Sequence, residues 1–275
     1  DPRGRPVIPA GFRGAWSFSE GLARVQTADG HMGFIDREGN WAVEPSFDEV
    51  QDFSGGRARV RRATTYHYID RQGRTLTETG FSDADPSFVN GYAAVRLNGA
   101  YGLIDTTGRP VVPAKYQRIF PFSEGLARMR RAGRYGFVDE SGQEVVPPTL
   151  ENARDFVQGL APAGRQGLYG LIDRTGTFAV EPAYDQLWYA GEQLWGVARK
   201  GRYGFIDGRG QIVVPLQYDQ LFSFEEGRTF YRIDRLWGLM DPMVRELSPP
   251  RYGLAWTFRE GLARVAVYSG IAFLS

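Results

Sequence analysis

Apolar and polar residues alternate along this chain in short runs that return at a fixed pitch. An apolar pair precedes an aspartate seven times, at Asp36, Asp70, Asp105, Asp139, Asp173, Asp207 and Asp241, with intervals of 34 or 35 residues. One pitch back from Asp36 lies Asp1, and one forward from Asp241 lies Ser275. The pattern therefore predicts eight units in a single repeat domain, residues 1–275, beginning near 1, 36, 70, 105, 139, 173, 207 and 241. The position before the aspartate is apolar throughout (Ile35, Ile69, Ile104, Val138, Ile172, Ile206, Met240, Leu274). So is the one before that, which carries Phe34, Tyr68, Leu103, Phe137, Leu171, Phe205, Leu239 and Phe273. Eleven residues beyond the aspartate stand Phe12, Phe47, Phe81, Tyr116, Leu150, Tyr184, Tyr218 and Tyr252. A position that stays apolar in every copy is a core layer, and a repeat of roughly 20 to 50 residues marks solenoids and propellers.

Within a unit, runs such as "LARV", "YGFID" and "QIVVP" are strand-length and separated by turn residues, which predicts a meander of three short antiparallel strands. The connecting stretch, as in "YDQLFSF", is a candidate fourth strand. Asp first and Gly last in a four-residue turn is the type I preference, met by Asp36–Gly39, Asp70–Gly73, Asp105–Gly108, Asp139–Gly142, Asp173–Gly176 and Asp207–Gly210. Because the strands carry apolar residues on both faces, the sheets must be covered on both sides and pack face to face. The expected fold is all-β, a closed eight-bladed β-propeller in which residues 1–35 and 241–275 complete one another and leave no bare edge. The alternative is an open β-solenoid or spiral of small antiparallel meanders, favoured by a pitch shorter than the ~40 residues usual for a propeller blade.

One phrase, "FSEGLAR", stands at 18–24 and 122–128 and returns as "FREGLAR" at 258–264. Its copies are spaced by whole units, so it is expected to mark the handover between neighbouring units. It is rewritten at 189–195 ("YAGEQLW") and 224–230 ("FEEGRTF"). The segment "FSEGLARMRRAGRYGFVDESGQEVVPP" at 122–148 resembles the bacterial WG repeat, also called the KWG repeat, in which an aromatic-glycine pair precedes Ile-Asp and a glycine turn. The Trp-Gly pair itself survives at Trp237-Gly238; Tyr101-Gly102, Tyr135-Gly136, Tyr169-Gly170 and Tyr203-Gly204 carry tyrosine, and Met32-Gly33 methionine. The resemblance covers essentially the whole chain and implies a bacterial binding or scaffolding role, without catalytic residues.

Composition narrows the function classes. With 42% hydrophobic residues the chain can bury a sizeable core. No apolar run reaches the length of a membrane-spanning helix, and no apolar stretch follows a basic start, so no membrane span and no retained signal peptide are expected. If the protein is exported, to the periplasm or cell surface, the signal has been removed. The absence of cysteine excludes disulfides, thiolate metal sites and thiol nucleophiles. A formal charge of +1 argues against a nucleic-acid partner. Of 33 basic residues only Lys115 and Lys200 are lysines.

The candidate chemistry is thin. Aspartates copied into every unit read as turn residues, and no loop has a dense calcium-binding pattern. His31 and His67 are the only histidines; His67 stands where other units carry glycine. Neither has a metal-binding or catalytic spacing, and no serine-nucleophile, zinc, P-loop or dinucleotide motif occurs. No catalytic, metal or cofactor site is expected. Fifteen residues past each aspartate the column reads Trp16, Gln51, Asp85, Phe120, Arg154, Trp188, Phe222 and Trp256, beside the apolar column Ala15, Val50, Ala84, Ile119, Ala153, Leu187, Leu221 and Ala255. If the apolar neighbours face inward, Trp188, Phe222, Trp256 and Trp16, with Tyr189 and Trp195 nearby, form an outward arc that binds a protein or peptide, or alternatively a glycan or cell-wall polymer. The competing expectation is that these aromatics fill space between units. Arginines of "RARVRR" (Arg57, Arg59, Arg61, Arg62) and "ARMRR" (Arg128, Arg130, Arg131), beside Glu20, Glu124 and Glu260, are expected to form a solvated ion-pair face rather than an anion site. The function expected overall is a noncatalytic interaction or scaffolding module, with an enzyme using a central channel the least supported reading.

Overall fold

A computed structural model describes residues 6–8, 10–267 and 270–274. The chain is all-β and forms eight antiparallel sheets, six of four strands and two of three among the described residues. Each sheet opens with a two-residue strand, except the sixth, which opens with Gln186–Gly191, and continues as a simple meander. The third sheet is typical: Asp83–Ala84, Tyr92–Leu97, Ala100–Asp105 and Pro110–Tyr116. The expected fourth strand exists, and its origin sets the phase of the fold. The aspartate turn joins the third and fourth strands of one sheet, so each aspartate-phased unit holds the fourth strand of one sheet and the first three of the next. The chain divides into two compact units, 1–144 and 145–275. The expected joining of residues 1–35 to 241–275 rests in part on residues 1–5, 9, 268, 269 and 275, which lie outside the described residues.

The repeated columns are the core. Ile35, Ile69, Ile104, Val138, Ile172, Ile206 and Met240 are buried, and so are their neighbours Phe34, Tyr68, Leu103, Phe137, Leu171, Phe205 and Leu239. Successive strand residues point to opposite faces, so burial of both means that each of these sheets is covered on both sides. In the first unit one cluster joins Phe34, Val43, Phe47, Val50, Phe53 and Val60. In the second, Leu187, Trp195, Val197 and Ile206 gather with Leu171 and Val180. The aspartate turns close as expected: Gly39 N–H donates to the Asp36 carbonyl at 3.1 Å and Gly108 N–H to the Asp105 carbonyl at 2.9 Å.

The handover phrase can be explained letter by letter. Ser19 and Leu22 exchange backbone hydrogen bonds of 2.9 and 3.0 Å around Glu20 (φ 51°) and Gly21 (φ 83°). Positive φ at both central residues is the type I′ turn that suits a twisted hairpin, and the second position selects glycine. The phenylalanine packs back on the preceding sheet, as Phe122 does on Tyr92 at 4.7 Å. The glutamate reaches forward: Glu20 accepts the N–H groups of Gly55 and Gly56, at 2.7 and 2.9 Å, from the equivalent turn of the next sheet. The arginine reaches forward too. Arg24 donates to the Val50 carbonyl and pairs with Asp52 at 2.9 Å, and Arg59 donates to the Ala84 carbonyl at 2.7 Å. In these sheets the phrase ties one sheet to its successor.

Glycine before the "FID" segment has one steric purpose. A Cβ at Gly102 would lie 2.5 Å from the Val112 carbonyl oxygen and 2.8 Å from Ala114 N, because the fourth strand bulges across it. Where His67 replaces that glycine, the fourth strand is missing. The second sheet has only Glu49–Val50, Ala58–Arg62 and Thr65–Ile69, followed by isolated bridges Ile69↔Thr75 and Tyr66↔Phe81. The end points match those of the third sheet, Ile104↔Pro110 and Tyr101↔Tyr116, so the imidazole has expelled the middle of the strand without changing its anchors.

Candidate functional site

The short first strands carry the column in which the sequence placed its binding residues. Their apolar neighbours do turn inward: Val50, Ala84, Ile119, Ala153, Leu187 and Leu221 are buried, while Ala15 and Ala255 are not. The N–H of each aromatic in question bonds to the carbonyl of the residue across the hairpin, so that opposite residue decides what covers the ring. Trp16 N–H donates to Arg24, Phe120 to Arg128 and Trp256 to Arg264, at 3.2, 2.9 and 3.0 Å. The three guanidinium groups lie over the facing rings at 4.7, 3.7 and 3.9 Å from the centroids. These are cation–π contacts at partly exposed positions. The arginine that ends the handover phrase thus roofs the aromatic two residues ahead of the phrase.

The remaining candidates have other surroundings. Trp188 faces Gly196 and fills the space a side chain would need there: a Cβ at Gly196 would stand 2.2 Å from its ring. It is half-buried and packs with Leu221, Phe224 and Tyr231. Trp195 is 1% exposed, in the cluster of Leu171, Leu187 and Val197, with Tyr189 edge-on to it at 5.2 Å. The expectation that Trp195 belongs to an exposed surface is corrected: on the hairpin Gln186–Gly191 and Leu194–Arg199 its ring packs into the sheet's other core cluster rather than beside Trp188. Phe222 lies half-buried on Trp237 at 4.6 Å. Trp16 is the most open of the set, 41% exposed.

The titratable groups that recur are taken up by turns. Asp36 accepts the N–H groups of Glu38 and Asn40 at 3.0 and 2.8 Å. The Asn40 N–H is the leading reason that its carboxyl stays below the ordinary range. At Asp139 and Asp173 the hydroxyls of Ser141 and Thr175 lead, and at Asp241 the Arg245 N–H. Glu20 is lowered chiefly by the Gly56 N–H. Burial, then the Arg62 charge, lowers His67, whose Nε2 lies 3.2 Å from the Thr65 hydroxyl; His31 is exposed. Among the described residues no three His, Cys, Asp or Glu side chains stand together as a possible metal site. No helix is long and apolar enough to cross a membrane.

Sequence reading missed one feature of the same short strands. The residue ahead of the inward column pairs across the hairpin, and in the second and third sheets the pair is acid against base, Glu49↔Arg61 and Asp83↔Arg96. In the fourth sheet it is Arg118↔Arg130. The signal was available as the column Gly14, Glu49, Asp83, Arg118, Asn152, Gln186, Gln220, Leu254, which passes from acid to base between the third and fourth sheets.

The family model described as WG containing repeat matches residues 1–30, 32–62, 68–99, 101–135, 135–167, 169–192, 203–237 and 237–268. Among curated proteins there is no match. Solved structures similar to the chain include a eukaryotic initiation factor, at 12% identity over 96% of this chain and 84% of that one, with a TM-score of 0.51. The computationally designed Ika8 protein has 14% identity over 98% and 99% (TM-score 0.43), and BamB from Moraxella catarrhalis 14% over 94% of each chain (TM-score 0.40). At such identities likeness is one of fold alone, and of these three the initiation factor, with a TM-score above 0.5, bears on it.

Proposed function

The chain belongs to the WG-repeat family, and from that premise we propose that it is a noncatalytic interaction module that binds a peptide or protein segment over the aromatics at the short first strands. The observation that carries this reading is that Trp16 and Phe120 in the first unit, and Trp256 in the second, each lie under an arginine and at least partly open to solvent. Aromatic rings and arginines are the side chains that dominate protein interfaces, because they offer large contact area together with directed polar edges. The recurring carboxylates support a noncatalytic role, since the turns already consume their hydrogen-bonding capacity.

The same proposal includes the finer architecture, a closed eight-bladed propeller. Its support is the even pitch of the repeat and the identical strand order from sheet to sheet. Small-angle scattering checks it. A compact disc is expected, whereas eight sheets stacked at about 10 Å in a rod of roughly 80 Å would contradict it.

The binding reading is tested by selecting peptides from a displayed library against the folded chain, then measuring selected peptides on Trp16→Ala, Phe120→Ala and Trp256→Ala. At least one substitution is expected to weaken binding tenfold or more while the fold persists. A library that yields no binder, or binders indifferent to all three, contradicts it.

A further inference from the structure

We propose that the Arg118–Arg130 pair of the fourth sheet docks the side-chain carboxylates of an acidic peptide segment, an inference that rests on reading the chain as an interaction module. Like charges directly across a hairpin destabilise it unless something neutralises them. In the second sheet Glu49 does so, bonding Arg59 at 3.0 Å and Arg61 at 3.3 Å. In the fourth sheet an arginine stands in that acidic position. Arg118 reaches one carboxylate, Asp85 at 3.2 Å. Arg130 is exposed, and among the described residues no carboxylate lies within ion-pair distance of it.

The surroundings hold these guanidinium groups in place. Arg118 lies 4.8 Å from the Tyr101 ring centroid and 5.5 Å from that of Phe120. Arg128 is 3.7 Å from Phe120 and 5.8 Å from Tyr135, and Arg130 is 5.6 Å from Tyr135. Arginine and aromatic thus alternate across the face, all within the first unit, and all are exposed or half-buried. Contact through their faces leaves guanidinium edges to donate hydrogen bonds, and the planar fork matches a carboxylate in two-point fashion.

Acidic neighbours beside the strip select the partner. Asp83, bonded to Tyr101, and Asp85, paired with Arg118, border it, while Glu144 is held by Arg131, whose position in the strand points to the opposite face. A continuous phosphate backbone would run over these acids, whereas separate carboxylates on a flexible peptide can be placed between them.

The test is fluorescence anisotropy of fluorescein-labelled hexaglutamate titrated with the full chain. Saturable binding that weakens with added salt is expected, with no binding of hexalysine. Arg130→Glu, which gives Arg118 the acidic neighbour present in the second and third sheets, is expected to weaken hexaglutamate at least tenfold with the melting temperature unchanged or raised. Binding unaltered in both Arg130→Glu and Arg130→Ala would overturn the site. A thymidine oligonucleotide that binds more tightly than hexaglutamate, and is released by Arg130→Glu, would overturn the carboxylate chemistry. If hexaglutamate does not bind while library-selected neutral peptides do, the docking site is wrong and the interaction module stands; if no peptide binds, the module reading fails as well.

Discussion

The second and fourth sheets are built on one plan, and two of the positions at which they differ set backbone and charge apart. In the second, His67 occupies the glycine position and the fourth strand is reduced to two bridges, while Glu49 neutralises the arginines across from it. In the fourth, Gly136 keeps that position free, a complete strand follows at Glu144–Leu150, and Arg118 opposes Arg130. One sheet has lost backbone pairing and kept its charges balanced; the other has kept its pairing and left charge unbalanced. Backbone regularity is therefore set by a single steric column, and surface chemistry by a separate one, so the repeat can vary its exterior without disturbing its frame.

The largest effect is expected where the steric column is broken in an intact sheet. Gly102→Ala places a methyl group against the bulged strand, and urea denaturation should register a loss of about 3 kcal/mol. The converse change, His67→Gly, should cost little and increase amide-exchange protection over residues 75–81. If it does not, the imidazole is not what expels the strand. Giving the second sheet the fourth sheet's charges by Glu49→Arg removes two ion pairs and sets three arginines together; a loss of about 1 kcal/mol in denaturant is expected. Balancing the fourth sheet by Arg130→Glu should do the opposite on a smaller scale, a gain of about 0.5 kcal/mol.

The smallest effect concerns acid. Glu20 grips the second sheet's turn through Gly55 and Gly56, and its folded pKa lies below the ordinary value. A depressed carboxyl adds stability above its unfolded pKa, near 4.3, and that stability is lost as the pH falls through the folded value. Melting temperature should therefore drop below about pH 4, and Glu20→Gln should flatten the slope while loosening exchange at Gly55 and Gly56. An unchanged slope would show that the turn-to-turn bond contributes nothing.

Much of the frame was legible in the sequence because it repeats. The buried Ile35-to-Met240 column, the aspartate turns and the all-β class follow from residues that recur at fixed spacing. The phase of the sheets was not, since the chain changes sheets just after Phe47 and its counterparts, where no strong turn signal stands. The aromatic column was visible in the sequence, but its environment depended on the residue across the hairpin: Arg24 covers Trp16, while Gly196 lets Trp188 fold inward. Trp195 was misjudged because hairpin register, not proximity in sequence, decides which face a residue takes. The Arg118–Arg130 pair escaped notice for the same reason, since the two lie twelve residues apart in sequence and meet only once the strands pair.

Arginine side-chain NMR reads out whether the repeat's function resides where a surface column departs from its own pattern. Nε–Hε signals of wild-type chain would be followed during titration with hexaglutamate, after assignment by single substitutions. Arg118 and Arg130 are expected to shift and saturate together, while Arg59 and Arg61, already bound to Glu49, stay in place. Shifts at Arg59 and Arg61 equal to those at Arg118 and Arg130 would contradict it.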